Sequence, residues 1–489
     1  MKRILAILAA VSVLATLFAS MPMTAFAAGK GDYNGDGKLN TLDARAMLKN
    51  VLSGNAHTQQ QIFWGDYDIN DAIDTGDVRM MLTDLLDTAG AAAINYAKPT
   101  GEDYWGENSI AVLGDSISFG AKADDPLPEN TYAGYLKKAV SAANGGKLNY
   151  GFTSAYPTSW SSNRADEIHM WPERSQTSDG KNAWVCDQDD LPSGWKTDSG
   201  TRLTSVAMMS WTPWATITYK LREQYVNSYK YFCVYYHTQP GNGSFALANG
   251  SGGEVPYADG TKSGYIQTNN TVEETLRTKF FKLSDCPKDK DGIPQIIICH
   301  NGDTLPVVIT GIGYYKELPK ANNADGYVTF NNFTRGGMRF CYLSDTVLRQ
   351  AASADTLVFS LGYNDAHYGN MPDESFSKAY FTERIDFMID LCNQNGTNVI
   401  VNNTTWPDMK TEPAKSNIEF VHSELRRLAR ETKGIYVEQI KIHGDALWEQ
   451  IWAPNGDGVH PSSNGQKMMA KTLVEALGLT WTETWTEVK

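Results

Sequence analysis

The sequence predicts an α/β protein built around a parallel sheet, interrupted by a β-rich segment and preceded by a small helical module. Three observations support this prediction. Continuous apolar strands alternate with helices on both sides of the chain's middle, which is typical of a parallel sheet with helices on both faces. The middle instead has short strands separated by Gly, Asn and Pro turns, as in a β-sandwich. Near the start, an acidic loop followed by an amphipathic helix occurs twice.

The composition is that of a globular protein. The chain has 489 residues, of which 42% are hydrophobic and 20% are charged, and it is long enough for several domains. The formal net charge of −13 argues against a nucleic-acid partner. The six cysteines follow no metal-binding or scaffold spacing, so buried thiols and one or two disulfides are both compatible with the sequence.

Residues 1–27 have the features of a secretory signal peptide. Lys2 and Arg3 precede an apolar stretch, and the AFA segment at residues 25–27 is a small-residue cleavage site. No later stretch reaches the roughly 18 apolar residues that a membrane-spanning helix needs. We therefore expect a secreted, extracellular protein without a membrane partner.

The repeat near the start predicts two calcium-binding loops. In each copy, oxygen-bearing groups occupy loop positions 1, 3, 5, 7, 9 and 12, the ligand spacing of a calcium loop, with a backbone carbonyl at position 7. The predicted ligands are Asp32, Asn34, Asp36, Lys38, Asn40 and Asp43 in the first loop and Asp66, Asp68, Asn70, Ala72, Asp74 and Asp77 in the second. Position six needs a sharp turn. The first loop has Gly37 there and the second has Asp71, so we expect the second loop to be the more strained.

These two loop–helix units resemble a dockerin, a module that attaches an enzyme to a cohesin on the scaffoldin protein of a cellulosome. The resemblance covers residues 31–89, within a module that we place at residues 28–89. It implies two structural calcium ions and a cohesin as partner. The residues after the ninth ligand, Thr41 with Leu42 and Thr75 with Gly76, differ between the copies and leave the cohesin class open.

Polar side chains occur at three places where strands of the predicted sheet end. Ser116 follows the strand IAVLG, Asn364 follows the strand TLVFSLG, and His460 lies ahead of the last helix. Reactive groups of parallel sheets collect at the carboxyl ends of the strands. A serine needs a base to become nucleophilic, which His460 can supply, and Asp457 can orient that imidazole. The Asn364 amide can donate to a developing oxyanion.

Each of these residues also has an ordinary structural explanation. Ser116 alone could be a helix N-cap, Asn364 part of a turn, and His460 a helix cap or a core histidine. All three together, in this order and at three strand ends, favour nucleophilic catalysis. No G-x-S-x-G sequence occurs in the chain, so the nucleophile elbow of α/β-hydrolases is not predicted.

At this point the chain resembles the SGNH hydrolases, the GDSL-type esterase superfamily. GDSISFG matches the first motif block of that family, GYND the third and DGVH the fifth. The resemblance covers roughly residues 109–156 and 330–478. It implies a three-layer, flavodoxin-like hydrolase domain, which we place at 109–156 and 324–480. A linker at 90–108 would precede this domain, and a β-rich domain at 157–323 would be inserted in it.

The resemblance also implies catalytic roles. Nucleophile, base, orienting acid and oxyanion donor correspond to Ser116, His460, Asp457 and Asn364. The family's second block adds a glycine whose backbone N–H joins the oxyanion hole. Gly151 lies at a plausible distance after Ser116, but Gly337 follows Asn332 with the family's spacing and precedes a helix and a strand. We favour Gly337, which would place the β insert between the first two blocks.

Together the two resemblances predict a secreted, cellulosomal carbohydrate esterase. It would remove acetyl or similar acyl groups from plant cell-wall polysaccharide, with acetylated xylan as the favoured substrate and pectin as the second. The carbohydrate part of this prediction rests on the dockerin resemblance. Two alternatives stay open: a non-catalytic glycan-binding scaffold component, and an SGNH lipase or phospholipase. A Trp-rich stretch could stack on sugars, although core packing is the commoner use of tryptophan. Its members are Trp160, Trp171, Trp184, Trp195, Trp211 and Trp214.

Overall fold

The computed structural model describes residues 30–90, 109–121, 130–154, 173–174, 185–186, 207–221, 223–271, 274–319, 326–404, 414–455 and 458–481. The predicted signal peptide, nearly all of the predicted linker and Asp457 lie outside the described residues. Within these ranges, no helix combines the length and hydropathy that crossing a bilayer requires.

Helices and strands are numbered here in chain order. The helices are α1 (Thr41–Ser53), α2 (Gln59–Gly65), α3 (Thr75–Gly90), α4 (Ser116–Phe119), α5 (Tyr132–Ala143), α6 (Asp345–Ala351), α7 (Tyr363–Tyr368), α8 (Lys378–Asn395), α9 (Ala414–Glu431), α10 (Gln439–His443), α11 (Asp445–Asn455) and α12 (Ser463–Ala476). The strands are β1 (Ser109–Gly114), β2 (Leu148–Ser154), β3 (Glu173–Arg174), β4 (Val185–Cys186), β5 (Met208–Ser210), β6 (Thr216–Lys220), β7 (Tyr231–Thr238), β8 (Ser244–Ala248), β9 (Ile266–Gln267), β10 (Glu274–Lys282), β11 (Gln295–His300), β12 (Val307–Tyr315), β13 (Val328–Thr334), β14 (Thr356–Ser360), β15 (Asn398–Asn403) and β16 (Ile435–Glu438).

A large central sheet organises the described chain. Its main path runs β10-β7-β12-β2-β13-β1-β14-β15-β16. Neighbours from β2 to β16 are parallel, and neighbours from β2 to β10 are antiparallel. The run β13-β1-β14-β15-β16 has the strand order 2-1-3-4-5 of a flavodoxin-like sheet. The predicted α/β class with a parallel sheet is therefore confirmed.

The strand that follows β1 in the sequence does not lie next to β1 in the sheet. This strand, β2, contains the sequence KLNYGF and is parallel to β13. However, β13 lies between β2 and β1, with Ser109 of β1 paired to Thr329 of β13. The strand next to β1 is therefore the one that leads to Gly337.

The β-rich segment expected as an inserted sandwich shares its strands with the central sheet. β7, β10 and β12 extend that sheet, and β12 pairs directly with β2. The strands β3, β6, β11, β8 and β9 form a second, antiparallel sheet. Tyr236 of β7 meets Phe245 of β8 with 5.4 Å between ring centroids, so the two sheets share a core. The described strands of this segment do not form a self-contained sandwich, because β12 is buried along its whole length and pairs with β2 and β7.

Helices cover the parallel part of the sheet. Helix α5 packs against α12, and α8 packs against α9. The connections on the two sides of β1 run in opposite directions, so right-handed crossovers place these two helix pairs on opposite faces. The described cysteine side chains are free thiols: Cys233, Cys286, Cys299, Cys341 and Cys392.

The N-terminal module packs against the central-sheet part of the chain. Phe63, Trp64 and Ile69 belong to the same hydrophobic core as the central sheet. The Trp64 indole Nε1 donates to the carbonyl of Ala476 at 3.2 Å. Asp71 forms an ion pair of 2.9 Å with Arg426 of α9. The module is thus docked through the segment between residues 63 and 71.

Candidate active site

Ser116 lies just past the carboxyl end of β1, as the first residue of the short helix α4. A Cβ at Gly114 would lie 2.0 Å from Ser118 Oγ, so only glycine lets α4 fold back against the strand. Asp115 is the N-cap, and its carboxylate accepts the N–H of Ile117 at 2.9 Å. The capping role that was an alternative for Ser116 therefore belongs to Asp115.

His460 meets Ser116 although 344 residues separate them in the sequence. Its Nε2 lies 2.9 Å from Ser116 Oγ, a normal hydrogen-bond distance. Both residues are half-buried, so the pair is accessible from solvent. Asp457, the expected partner of this imidazole, lies outside the described residues.

Gln466 fixes the helix that carries Ser116 against the helix that follows His460. It is fully buried on α12, and its Nε2 donates to the carbonyl of Ile117 at 2.9 Å. Its Oε1 accepts the N–H of Tyr132 at 2.9 Å. Sequence reasoning missed this residue. A glutamine on the apolar face of the helix NGQKMMAKTLVEALG is the feature that could have indicated it.

Asn364 lies in the first turn of α7, directly after β14. The turn depends on Gly362, whose φ is 120° and where a Cβ would lie 2.7 Å from Val421 Cγ1. The buried Asn364 amide donates to the carbonyl of Met338 at 3.0 Å, and its Nδ2 lies 3.4 Å from Asp115 Oδ2. The structure thus brings Asn364 beside the residue that precedes Ser116.

The two glycines expected as oxyanion-hole candidates have very different positions. Gly337 has a φ of 71° in a turn shortly after β13, whose last residue, Thr334, is paired with Gly114. Gly151 lies inside β2, where a Cβ would be 2.1 Å from Asn331 Oδ1. Only Gly337 therefore lies at the strand end next to that of β1.

Asp365 ties the Gly337 turn to the helix that carries Asn364. Its side chain is fully buried and accepts the N–H groups of Phe340 and Cys341 at 2.8 and 2.9 Å. The sequence showed Asp365 only as the last residue of GYND. Its hydrogen-bond partners could not be predicted, because they lie on a different loop.

The site also contains a buried carboxyl group with a raised pKa. Burial raises the pKa of Asp115 to about 7, and the nearby charge of Asp365 acts in the same direction. The hydrogen bond from the Ile117 N–H opposes this rise. The proton occupancy of Asp115 therefore changes near neutral pH, beside the Asn364 amide.

The two predicted calcium loops have the same internal hydrogen bonds. In each loop, the N–H groups at positions five and six donate to the first aspartate, Asp32 or Asp66. The N–H groups at positions three and nine donate to the last aspartate, Asp43 or Asp77. These four carboxylates are buried, whereas most of the remaining predicted ligands lie nearer the surface.

The sixth position has a positive φ in both loops, 80° at Gly37 and 68° at Asp71. Asp71 thus adopts the backbone conformation that its position requires, as a residue that tolerates it better than most. In the second loop, carboxylate oxygens of Asp66, Asp68 and Asp77 lie within 4.8 Å of one another, close enough to share one ion. The donor set is all oxygen, which suits calcium.

No family model and no curated protein matches the chain. Several solved structures are partly similar, among them the following three. LAE5, an α/β hydrolase from the metagenome of Lake Arreo in Spain, is 15% identical, with a TM-score of 0.27 over 32% of this chain and 76% of its own. Axe2, an acetylxylan esterase from Geobacillus stearothermophilus, is 16% identical, with a TM-score of 0.28 over 33% and 78%. Protein YxiM from Bacillus subtilis is 15% identical, with a TM-score of 0.29 over 68% and 98%. Likenesses this weak do not establish a function for this chain.

Proposed function

We propose that this protein is a secreted serine esterase that removes acetyl or similar acyl groups from plant cell-wall polysaccharide. The observation that carries the proposal is the 2.9 Å distance between His460 Nε2 and Ser116 Oγ at the carboxyl end of β1. An imidazole at this distance can accept the hydroxyl proton while the oxygen attacks an ester carbonyl. Both groups are half-buried, so an ester on a bulky substrate has access to them.

The reaction would run through an acyl-enzyme. Ser116 Oγ forms a bond to the acyl carbon while its proton passes to His460 Nε2. The tetrahedral intermediate then breaks its bond to the sugar oxygen, which takes the proton from the imidazolium. In the second half, His460 removes a proton from water as the water oxygen attacks the acyl carbon. The second tetrahedral intermediate breaks its bond to Ser116 Oγ, which takes the proton from the imidazolium, and the acid is released. Asp457 would orient the imidazole and stabilise its charged form.

The oxyanion would be held by donors from three neighbouring strand ends. We assign this role to the backbone N–H groups of Ser116 and Gly337 and to the Asn364 amide. The Asn364 Nδ2 lies 3.4 Å from Asp115 Oδ2, a long hydrogen bond that an oxyanion can replace. One such donor typically contributes about 3 kcal/mol to transition-state stabilisation.

Carbohydrate as the substrate class is supported by the dockerin-like module. Modules of that kind bring together enzymes that degrade plant cell walls, so acetylated xylan is the first candidate and acetylated pectin the second. The module would bind two structural calcium ions, one in each loop. In the second loop, carboxylate oxygens of Asp66, Asp68 and Asp77 lie close enough to share an ion, and the first loop has the same pattern of hydrogen bonds to its first aspartate. Calcium would hold these loops in shape and would take no part in ester hydrolysis.

A cohesin is the proposed partner of the module. The second repeat packs against the hydrolase region, whereas Leu42 in the first repeat is 55% exposed. Calcium-dependent capture on a panel of recombinant cohesins tests this part of the proposal. Capture that is lost on chelation and restored by calcium supports it, and no capture by any cohesin class contradicts it.

The esterase proposal is tested by measuring acetate release from acetylated xylan and acetylated pectin. The wild-type chain should release acetate, and Ser116→Ala should not. Ser423→Ala, which changes an exposed serine on α9, is the matched control and should keep full activity. Faster hydrolysis of long-chain than of acetyl p-nitrophenyl esters would favour a lipase instead. Equal acetate release by wild type and Ser116→Ala would contradict the proposed chemistry.

A further inference from the structure

Trp214 is an exposed tryptophan in a backbone conformation that favours glycine. It lies in the turn of residues 212–215 between β5 and β6, which is closed by a 3.2 Å hydrogen bond from the Ala215 N–H to the Thr212 carbonyl. The φ of Trp214 is 61°. Pro213 at the second position and a positive φ at the third are features of a type II turn, whose third position usually holds glycine. A side chain there is strained, because its Cβ approaches the neighbouring carbonyl oxygen.

Little of this cost is offset by core packing, since Trp214 is 60% exposed. The indole instead lies over Gly302, where a Cβ would be 2.4 Å from Trp214 Cζ2. The loop below the ring is ordered by Asp303, whose carboxylate accepts the Leu305 N–H at 3.0 Å. The Asn301 amide lies 3.4 Å from the other oxygen of that carboxylate. A supported aromatic ring, open to solvent, thus has polar side chains close to the loop on which it rests.

The strand register places Trp214 beyond the same end of the parallel strands as Ser116, namely their carboxyl-terminal end. Ser154, the last residue of β2, pairs with Gly311 of β12. Since β12 is antiparallel to β2, its first residue, Val307, lies about 13 Å beyond the end of β2. Val307 pairs with Ser210, four residues before Trp214. Trp214 therefore lies past the carboxyl-terminal edge of the parallel strands, the edge at which Ser116 is found.

The lateral separation of the two residues also follows from the sheet. Trp214 follows β5, which pairs with the same edge of β12 as β2 does, because β7 occupies the other edge. β5 is thus in line with β2, and two strand spacings separate it from β1. At about 4.8 Å each, this gives roughly 10 Å across the sheet, in addition to the roughly 13 Å along the strands. A single sugar cannot span that distance, whereas an extended polysaccharide can.

We propose that Trp214 is a stacking platform for a sugar ring of a polymeric carbohydrate whose acylated unit lies at Ser116. The apolar C–H face of a pyranose packs on the indole, and Asn301 and Asp303 are the polar side chains nearest to the sugar hydroxyls. This inference rests on the proposed function for the choice of polymer. It explains why a tryptophan occupies a position where glycine would be less strained.

Binding of acetylated xylan to the Ser116→Ala chain tests the inference without requiring turnover. Affinity electrophoresis and titration calorimetry should show about 10-fold weaker binding when Trp214→Ala is added, as expected for one lost aromatic contact. Trp214→Phe should retain part of the affinity. Leu52→Ala removes an exposed side chain of the N-terminal module and should leave the affinity unchanged. Equal affinity with and without Trp214 would overturn the inference.

Trp214→Gly separates a binding role from a structural one. Glycine relieves the positive φ, so this variant should have a melting temperature at or above that of wild type while binding the polymer as weakly as Trp214→Ala. A lower melting temperature together with unchanged binding would mean that the tryptophan only packs the turn. Because binding is measured directly, weak binding by Trp214 variants would stand even if no acetate were released, which would contradict only the esterase proposal.

Discussion

The N-terminal module and the candidate active site position their polar groups in opposite ways. In the calcium-type loops, each buried aspartate accepts N–H groups from within ten residues of itself. In the active site, Ser116 meets a histidine 344 residues away, and Gln466 bonds a carbonyl 349 residues away. The loops therefore need only their own segment, whereas the catalytic pair exists only when the whole sheet is assembled. Changes at the sheet edge that carries Ser116 should affect activity. Changes at the docking surface, which is the segment of residues 63–71 that packs against the rest of the chain, should affect stability.

The largest effect is expected for the catalytic pair. Ser116→Ala and His460→Ala should each lower kcat for p-nitrophenyl acetate by about 10⁴-fold or more, since a nucleophile without its base is inactive at neutral pH. The double variant should be no slower than either single one, because the two residues act as a unit. Additive losses in steady-state kinetics would show that they act independently.

The next effect concerns the docking surface. Trp64→Ala should destabilise the protein by about 3 kcal/mol in urea unfolding, because it removes a buried indole and its hydrogen bond to Ala476. Leu52→Ala, at a side chain 74% exposed in the same module, should change stability by less than about 0.5 kcal/mol. If both variants behaved alike, the module would not be part of the hydrolase core.

Removal of the proposed oxyanion donor should lower kcat less than loss of Ser116 or His460 does. Asn364→Ala should lower kcat by about 10²–10³-fold with little change in KM, because the amide would act mainly in the transition state. Circular dichroism should show an unchanged fold. A loss below about 10-fold would indicate that the backbone donors suffice, and would contradict the role assigned to Asn364.

The smallest effect is the pH dependence of stability that comes from Asp115. Burial raises its pKa from 3.8 to about 7 in the folded protein. Between these two pH values the folded state holds a proton that the unfolded state has lost. The cost of ionising it is absent below the unfolded pKa, grows as the pH rises, and is complete above the folded pKa. Asp115→Asn should therefore gain stability relative to wild type between pH 4.5 and pH 8, on the order of 1–3 kcal/mol. Urea unfolding at both pH values measures this gain. A constant difference would contradict the raised pKa.

Local patterns allowed much of the parallel part of the central sheet and its helices to be predicted. The strands β1, β14, β15 and β16 and the helices α8, α9 and α12 form where apolar periodicity placed them. The positions of Ser116 and Asn364 followed from one physical rule, that the carboxyl ends of parallel strands share an edge. His460 does not follow a strand directly as expected, because α10 and α11 lie between it and β16. The positive φ at Gly37 and Asp71 was also predictable, because the spacing of the ligands in each loop places these residues at the sharp turn.

Pairing between distant segments was not predictable. Gly151 lies within a predicted strand and Gly337 follows Asn332 with the spacing of the resembled family, and only the order of β2 and β13 beside β1 distinguishes the two glycines. The extension of the central sheet by β7, β10 and β12 depends on edge-to-edge hydrogen bonds, which carry no sequence signature. Asp365 and Gln466 were missed because their partners lie on other loops and helices.

Covalent labelling of Ser116 tests the central claim most directly. A fluorophosphonate forms a phosphorus–oxygen bond with an activated serine and releases fluoride, and mass spectrometry of the digested chain locates the label. We expect one label per chain, on the peptide that contains Ser116, with a rate that falls sharply in His460→Ala. An unlabelled chain, or labelling at another serine that persists in Ser116→Ala, would contradict the claim that Ser116 and His460 form a nucleophilic pair.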